Sequence, residues 1–222
     1  MLYEVNCTAT HFDKFADRKN FKTEFIEGAV FEGRYDFPKL KKTQSIPENP
    51  IPFNTAKSNK NPADCWIHFF IDDYQFERLW NTPNKYLPML KRFKGVITTD
   101  YSMYENMPKV QQMWNCYRNR AVAFWLQNNG IDIVPVVEWA DYNDFEWCLD
   151  GLPKNSTLAL ETYGVQRKTI DKYGLIKGVE KICKELMPKT LVVYGNEIKA
   201  VNSLCKNVIW LDNYCKIMKK RL

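Results

Sequence analysis

Short apolar runs rich in strand-forming residues recur after Cys65, the first five of them every 25–35 residues, and helical spacing follows most of them. Six runs begin near residues 66, 96, 131, 157, 191 and 208. Uninterrupted apolar strands are typical of sheets that are covered on both faces, and intervening helices allow neighbouring strands to run parallel. The chain is therefore predicted to be an α/β protein built of parallel βα units.

The clearest helix is predicted between Pro108 and the Asn129-Gly130 pair. Proline is favoured at the first position of a helix, and glycine commonly follows the last one. Apolar residues at helical spacing form one wide stripe between these two signals. The stripe consists of Val110, Met113, Trp114, Tyr117, Ala121, Phe124 and Trp125. Arg118 and Arg120 fall mostly outside it and are expected on an exposed helix face.

Two closures of the sheet are compatible with this pattern. A partial or complete β/α barrel and a doubly wound open sheet both accept strands at this spacing. No strand is followed by the glycine patterns GxGxxG or GxxxxGK[ST], which mark nucleotide sites in open sheets. We therefore favour the barrel-like arrangement and keep the open sheet as the alternative.

Three regions are predicted along the chain: an irregular N-terminal extension over 1–62, the βα-repeat domain over 63–215, and a basic tail over 216–222. Residues 24–37 contain strand formers and two glycines, which indicates a short strand or hairpin. Five prolines between Pro38 and Pro62 predict a connector without a helix.

The net charge of +6 gives little support to nucleic-acid binding. Four of the positive charges lie in the last seven residues, so the rest of the chain carries about +2. Seven scattered cysteines without a CxxC pair indicate free thiols, and two histidines are too few for a His-rich metal centre. No apolar signal core and no run of about 18 apolar residues is present. A cytoplasmic protein is expected, in the host cell if the gene belongs to a phage, with no membrane contact.

A site is predicted where the strands end, because parallel strands present their carboxyl ends on one side of the molecule. Acidic or polar residues follow nearly every strand. They are Asp72, Asp73, Asp100, Ser102, Glu138, Asp141, Glu161, Tyr163, Asn196, Glu197 and Asp212. Crowded carboxyl groups raise one another's pKa, which suits general acid catalysis, or else they bind a hard cation.

In the leading hypothesis this is an enzyme or small-ligand binder, with Asp100, Glu138 and Glu161 as acid, base or cation-binding groups. The ligand-binding pocket would be lined by Asp73, Ser102, Trp139, Asp141, Tyr163 and Asn196. The reaction is left open, and a divalent cation is the cofactor considered. The alternative roles are structural: aspartate caps helices, Trp139 packs, and His68 is a satisfied core residue.

A second hypothesis is an accessory protein that binds a host protein, a defence component or nucleic acid. Its surface would be the basic tail or exposed cations, namely Lys85, Lys91, Arg92, Lys94, Arg118 and Arg120. Phosphate binding through such residues weakens steeply as salt concentration rises.

Several longer stretches resemble the DUF4417 family of phage and bacterial proteins. They include FEGRYDFPKL, FFIDDYQFERLWNTPNKYLPMLKRFKGVITTDYSMYENMP, WNCYRNRAVAFWLQNNG, CLDGLPKNSTLALETYG and LVVYGN. The resemblance covers roughly residues 25–215 and implies a phage or mobile-element setting, without an established activity. Where the family pattern has an asparagine and an arginine at the end of the third strand, this chain has Val136 and Glu138. If these positions line the pocket, its charge has changed.

Overall fold

The computed structural model describes residues 20–162 and 169–212. Phe31–Glu32 (β1) and Phe37–Pro38 (β2) form an antiparallel hairpin that extends one residue beyond the predicted segment 24–37. The parallel strands are β3 (Ile51–Pro52), β4 (Trp66–His68), β5 (Gly95–Ile97), β6 (Ile133–Val134), β7 (Thr157–Glu161), β8 (Thr190–Tyr194) and β9 (Val208–Leu211). They form two sheets in the orders β3-β4-β5-β6 and β7-β8-β9, and every neighbouring pair is parallel.

The two sheets are joined edge to edge just beyond β6. Val136 and Ala159 form a parallel bridge, the Ala159 N–H donates to the Pro135 carbonyl (2.8 Å), and the Val137 N–H donates to the Ala159 carbonyl (2.8 Å). The strand order therefore follows the chain order from β3 to β9. A β/α barrel has this order, whereas a doubly wound sheet reverses direction at its centre.

The joined sheets curve strongly. The ring of Tyr194 on β8 lies 4.8 Å from the rings of both His68 and Phe70, at and just beyond the end of β4, although β4 and β8 are four places apart in the order. The parallel α/β fold is thus confirmed. Within the described residues the outermost strands, β3 and β9, do not pair with each other, so closure of a barrel stays a prediction.

The helices are α1 (Phe53–Ala56), α2 (Glu77–Asn81), α3 (Pro83–Leu90), α4 (Lys109–Asn128), α5 (Thr169–Leu186) and α6 (Lys199–Asn202). Short 3-10 helices cover Asp73–Gln75 and Tyr142–Glu146, among others. The long helix α4 is confirmed, with Pro108 as its N-cap and Asn129 as its C-cap. The proline-rich connector was predicted to contain no helix. This prediction is wrong, because the connector contains the short helix α1 as well as the strand β3. None of the described helices combines the length and apolarity that crossing a lipid bilayer requires.

Alternating strand residues supply two separate apolar clusters. Ile67, Val96 and Leu158 belong to the larger cluster, which includes residues of the helices. Their neighbours Trp66, Ile97 and Ala159 belong to a smaller cluster made of strand residues. Successive strand residues point to opposite sides of a sheet. The smaller cluster therefore occupies the concave side of the curved sheet.

The apolar stripe predicted on α4 is only partly buried. Residues of the helix outside the stripe are buried as well. Val110 and Trp114 are 73% and 48% exposed, whereas Asn119 and Arg120 are 1% exposed. The helix contacts the hairpin strand β2 and the 3-10 turn at Thr23–Phe25 in addition to β6. Neighbours on several sides bury polar residues that an amphipathic pattern assigns to solvent.

Candidate functional site

Three carboxyl groups from three successive strands come together where the strands end. Asp100 lies three residues beyond β5, Glu138 lies beyond β6, and Glu161 is the last residue of β7. Since Val136 pairs with Ala159, Glu138 and Glu161 stand two residues further on at the same level. The carboxyl groups of Glu138, Glu161 and Asp73 all interact electrostatically with that of Asp100.

Burial and nearby charges favour protons on two of these acids, Asp100 and Glu138. Burial, followed by the nearby Glu138 and Glu161 carboxylates, raises the pKa of Asp100 well above its ordinary value. Glu138 is 8% exposed, and burial raises its pKa to about 7 even though the Arg120 guanidinium opposes that change. Carboxyl groups that exchange protons near neutral pH are suited to general acid–base chemistry.

Arg120 of α4 is held beneath this cluster by backbone carbonyl groups. It donates to the carbonyl oxygens of Asp150 (3.2 Å), Val136 (3.2 Å) and Cys148 (2.7 Å), and its Nη1 lies 3.7 Å from Glu138 Oε1. The expectation of an exposed Arg120 is therefore wrong. A guanidinium is tolerated at this depth because its planar donors are matched by fixed acceptors.

A stripe of amide side chains on α4 holds the loop that follows β5. Gln112 donates to the carbonyl oxygens of Tyr104 and Met107, Asn115 donates to that of Ser102 (2.6 Å), and Asn119 accepts from the Tyr101 N–H (3.0 Å). These bonds replace the partners that a loop backbone would otherwise find in water. They fix the loop next to Asp100.

Asp73 and Ser102 bind each other across two loops. The Ser102 hydroxyl donates to Asp73 Oδ1 (2.9 Å), and its backbone N–H donates to Oδ2 (3.1 Å). Burial raises the pKa of Asp73, and the bonds from Ser102 oppose that rise. Neither Asp72 nor Asp73 caps the following 3-10 helix with its side chain, so the alternative role as a helix cap is wrong for both. Instead, Asp73 ties the loop after β4 to the loop after β5.

Buried polar atoms without a partner are concentrated around these residues. They are His68 Nε2, Thr99 Oγ1, Tyr101 OH, Arg118 Nε, Asn119 Nδ2 and both carboxylate oxygens of Glu138, none of which makes a hydrogen bond of ordinary geometry among the described residues. Asn119, Cys116 and Asp100 are nevertheless close enough to Glu138 to change its pKa, as Glu77 is to Tyr101. Nearly all buried polar groups in proteins are bonded to protein or water. A set of such atoms grouped beside titrating acids is typical of a binding site.

His68 differs from the satisfied core residue that the sequence predicted. Its Nδ1 accepts a hydrogen bond from the Phe70 N–H (3.2 Å), so the ring proton resides on Nε2. Burial lowers the pKa of His68 to about 3, which keeps the imidazole neutral. His68 therefore offers an unused N–H donor from the concave side of the sheet.

Other residues expected to line the site are engaged elsewhere. Trp139 packs against Gly178 of α5 and the Phe145 ring. Asp141 accepts from the Asn143 N–H (2.7 Å), caps the 3-10 helix there and forms an ion pair with Lys109. Asn196 is exposed beyond β8, as is Asp212 beyond β9. Tyr163 and the basic tail lie outside the described residues.

The cations of the alternative surface are not equivalent. Arg118 is bonded to Glu77 (2.8 and 3.1 Å) and Asn115 and lies 3.6 Å from the Tyr101 ring centroid, so it is not on an open helix face. Lys94 is exposed and pairs with Glu48 (2.8 Å) at the opposite, amino-terminal end of β5. Lys85, Lys91 and Arg92 are exposed along and after α3.

The described residues contain no group of three or more His, Cys, Asp or Glu side chains placed to hold a metal ion. The acids were predictable from the sequence, whereas Arg120 was expected at the surface, and Asn119 and Tyr101 were not expected at the site. A signal was present: Gln112, Asn115 and Asn119 recur three and four residues apart, which places amides on one side of a helix.

The family model described as "Domain of unknown function (DUF4417)" matches residues 29–212. The "Gene 1 protein" of Mycobacterium phage L5 is 32% identical over 163 residues, which cover 72% of this chain and 71% of the phage protein. The "Gene 1 protein" of Mycobacterium phage D29 is 31% identical over 163 residues, and the match spans 60% of its length. No solved structure matches the chain.

Proposed function

The chain belongs to the DUF4417 family, and we propose that it binds a small polar ligand at the carboxyl ends of its strands and performs acid–base chemistry there. Asp100 and Glu138 would donate protons, and Glu161 would accept one. The observation that supports this proposal is the grouping of unpartnered buried polar atoms around acids of raised pKa.

The acids fit proton transfer better than cation binding. A cation site needs ionised carboxylates, whereas burial of Asp100 and Glu138 favours their neutral forms. The Arg120 guanidinium beside Glu138 would also repel a cation. A neutral or anionic ligand with hydrogen-bonding groups is the better match to Arg120, the His68 N–H and protonated carboxyl groups.

Exposed tyrosines stand on loops at the same end of the sheet. Tyr74, Tyr104 and Tyr142, which follow β4, β5 and β6, are 78%, 59% and 58% exposed. Tyrosine offers an apolar ring and a polar tip, and such residues are enriched in binding surfaces. They would cover the ligand from the solvent side.

The proposal is tested by thermal denaturation of the full chain with a panel of sugars, nucleosides, carboxylic acids and amino acids. We expect at least one compound to raise the melting temperature of the wild type but not of the Asp100→Asn/Glu138→Gln variant. Asp141→Asn is the matched control, because it removes a carboxylate engaged in a cap and should keep the response. Equal responses in all three proteins would remove the proposal.

A second arm needs no ligand. Carbon-13 NMR of the side-chain carboxyl groups should show Glu138 titrating near pH 7. Glu161→Gln should lower the pKa of Asp100, because it removes one of the charges that raises it. Ordinary pKa values for both acids would contradict the proposed chemistry.

A second candidate function rests on the four exposed cations Lys85, Lys91, Arg92 and Lys94, of which Lys94 is paired with Glu48. Here the chain would be an accessory protein that binds nucleic acid or an acidic host or defence protein. Binding to a labelled DNA duplex should fall steeply between 50 and 200 mM salt and should weaken in Lys91→Gln/Arg92→Gln. Lys57→Gln/Lys60→Gln, which changes two exposed lysines elsewhere, should bind as the wild type does. Salt-independent binding, or none, would exclude this surface.

A further inference from the structure

A second concave site lies at the opposite end of the strands from the carboxyl cluster. It is a cavity of about 350 Å³ whose lining includes Cys183, Cys205, Lys189 and Lys206. Lys189 immediately precedes β8, and Lys206 lies two residues before β9, which places the cavity at the amino-terminal edge of the second sheet. Its volume is within the range of small-molecule sites.

Two thiols meet in this cavity from different elements. Cys183 is near the end of α5 and is partly exposed, whereas Cys205 follows α6 and is 8% exposed. Both side chains line the cavity, where they are near enough for each to change the pKa of the other. The Cys205 S–H donates to the carbonyl oxygens of Pro188 and Asn207 (both 3.7 Å), and the backbone N–H groups of Asn207, Lys206 and Leu191 lower the pKa of this thiol.

The contact makes the two thiols chemically unequal. The neighbouring Cys183 thiol lowers the pKa of Cys205 to about 6, whereas the neighbouring Cys205 and burial raise the pKa of Cys183. A thiolate near neutral pH attacks disulfides, and a thiol beside it can displace the product of that attack. The order of reaction therefore starts at Cys205.

We propose that Cys183 and Cys205 are a thiol–disulfide exchange site that takes small anionic disulfides into this cavity. The Cys205 thiolate attacks one sulfur of the small disulfide, the S–S bond breaks, and one small thiolate leaves. Cys183 then loses its proton and attacks Cys205 sulfur, and the second small thiolate departs. The two protein thiols are oxidised to one disulfide while the small disulfide is reduced to two thiols.

A second neighbouring pair provides an internal comparison. Cys116 Sγ lies 3.9 Å from the Cys148 carbonyl oxygen, and both residues are fully buried. Burial raises the pKa of both thiols. Inert cysteines are those buried in apolar surroundings, so this pair should stay reduced.

The charge of the small disulfide follows from the lysines of the Cys183–Cys205 cavity. Lys189 and Lys206 are exposed there and favour a negatively charged disulfide.

The experiment treats the full chain with oxidised glutathione near pH 7 and follows it by intact mass and by mapping of non-reduced peptides. We expect the wild type to gain a Cys183–Cys205 disulfide with the loss of two hydrogens, while Cys116 and Cys148 remain thiols. Cys183→Ser should stop at a glutathione adduct on Cys205. Cys205→Ser should leave Cys183 largely unmodified, and Cys65→Ser should behave as the wild type.

Two results would overturn the proposal. One is a wild type in which glutathione stays attached to either thiol without closure of the disulfide. The other is a reaction at Cys65, or at Cys116 and Cys148, that is as fast as reaction at Cys205. Both results are measured on the wild-type protein, so they do not depend on the folding of any variant.

Discussion

Glu138 and Arg120 lie buried together, with 8% and 1% of their surfaces exposed. The guanidinium makes its hydrogen bonds to three carbonyl oxygens and approaches Glu138 only to 3.7 Å. Burial is costly for a carboxylate, and Arg120, Asn119 and Cys116 offset that cost only in part, so the group is easier to bury when it is protonated. The pair therefore provides a proton-binding group more than a stabilising salt bridge.

Glu138 should make the stability of the protein depend on pH. Its pKa is raised from 4.5 to about 7, so the folded chain binds this proton more tightly than the unfolded chain does. Its stabilising contribution is complete below pH 4.5 and is lost as the pH rises through 7, by at most about 3 kcal/mol. We expect Glu138→Gln to remove most of this decrease, measured by urea denaturation between pH 4.5 and 8.

Asp141→Asn is the control for that measurement. Lys109 lowers the pKa of Asp141, so its contribution has the opposite sign and is lost as the pH falls. A Glu138→Gln variant whose free energy of unfolding decreases with pH as much as that of the wild type would contradict the assignment.

At the scale of elements, helix α5 is fitted to the sheet through a glycine. Trp139, which follows β6, lies directly over Gly178, and a Cβ added there would overlap the indole ring and lie 2.8 Å from its Nε1. Gly174, one turn earlier on α5, has nothing within 4 Å of an added Cβ. Substitutions at Gly174 and Gly178 therefore test helix propensity and packing separately.

Alanine substitutions should move stability in opposite directions at these two positions. Gly174→Ala should raise the free energy of unfolding by about 0.5–1 kcal/mol, because alanine is the better helix former. Gly178→Ala should lower it by about 1–3 kcal/mol, because the overlap with Trp139 must be relieved by movement of packed groups. Chemical denaturation measures both changes, and stabilisation by Gly178→Ala would show that the helix is not seated on Trp139.

At the scale of the whole molecule, two backbone hydrogen bonds connect the sheets, through Pro135, Val137 and Ala159. If they make the strands one cooperative unit, these amides open only when the whole molecule unfolds. Hydrogen exchange should therefore be as slow at Val137 and Ala159 as at Val192 in the centre of β8. Much faster exchange at Val137 and Ala159 alone would indicate two sheets that open separately.

The arrangement of strands could be predicted from the sequence to a large extent, whereas the site could be predicted only in part. The apolar runs at Trp66, Val96 and Thr157 indicate buried strands. A strand that faces protein on both sides is apolar at successive positions, and this pattern is visible in the local sequence. The burial of Arg120 could not be read in this way, because its partners Cys148 and Asp150 are about thirty residues away. Asp141 and Trp139 follow a strand, as Asp100 does. Asp141 is nevertheless held as a helix cap, and Trp139 packs on Gly178.

The order of the βα units and the placing of acids at the carboxyl ends of strands are determined by the sequence alone, because both follow from short-range periodicity and from the direction of parallel strands. Only the tertiary structure decides which of those acids meet, that Arg120 lies beneath Glu138, and that Cys183 meets Cys205. Proton affinity and thiol reactivity depend on burial and on groups distant in the chain, and these are set when the elements pack.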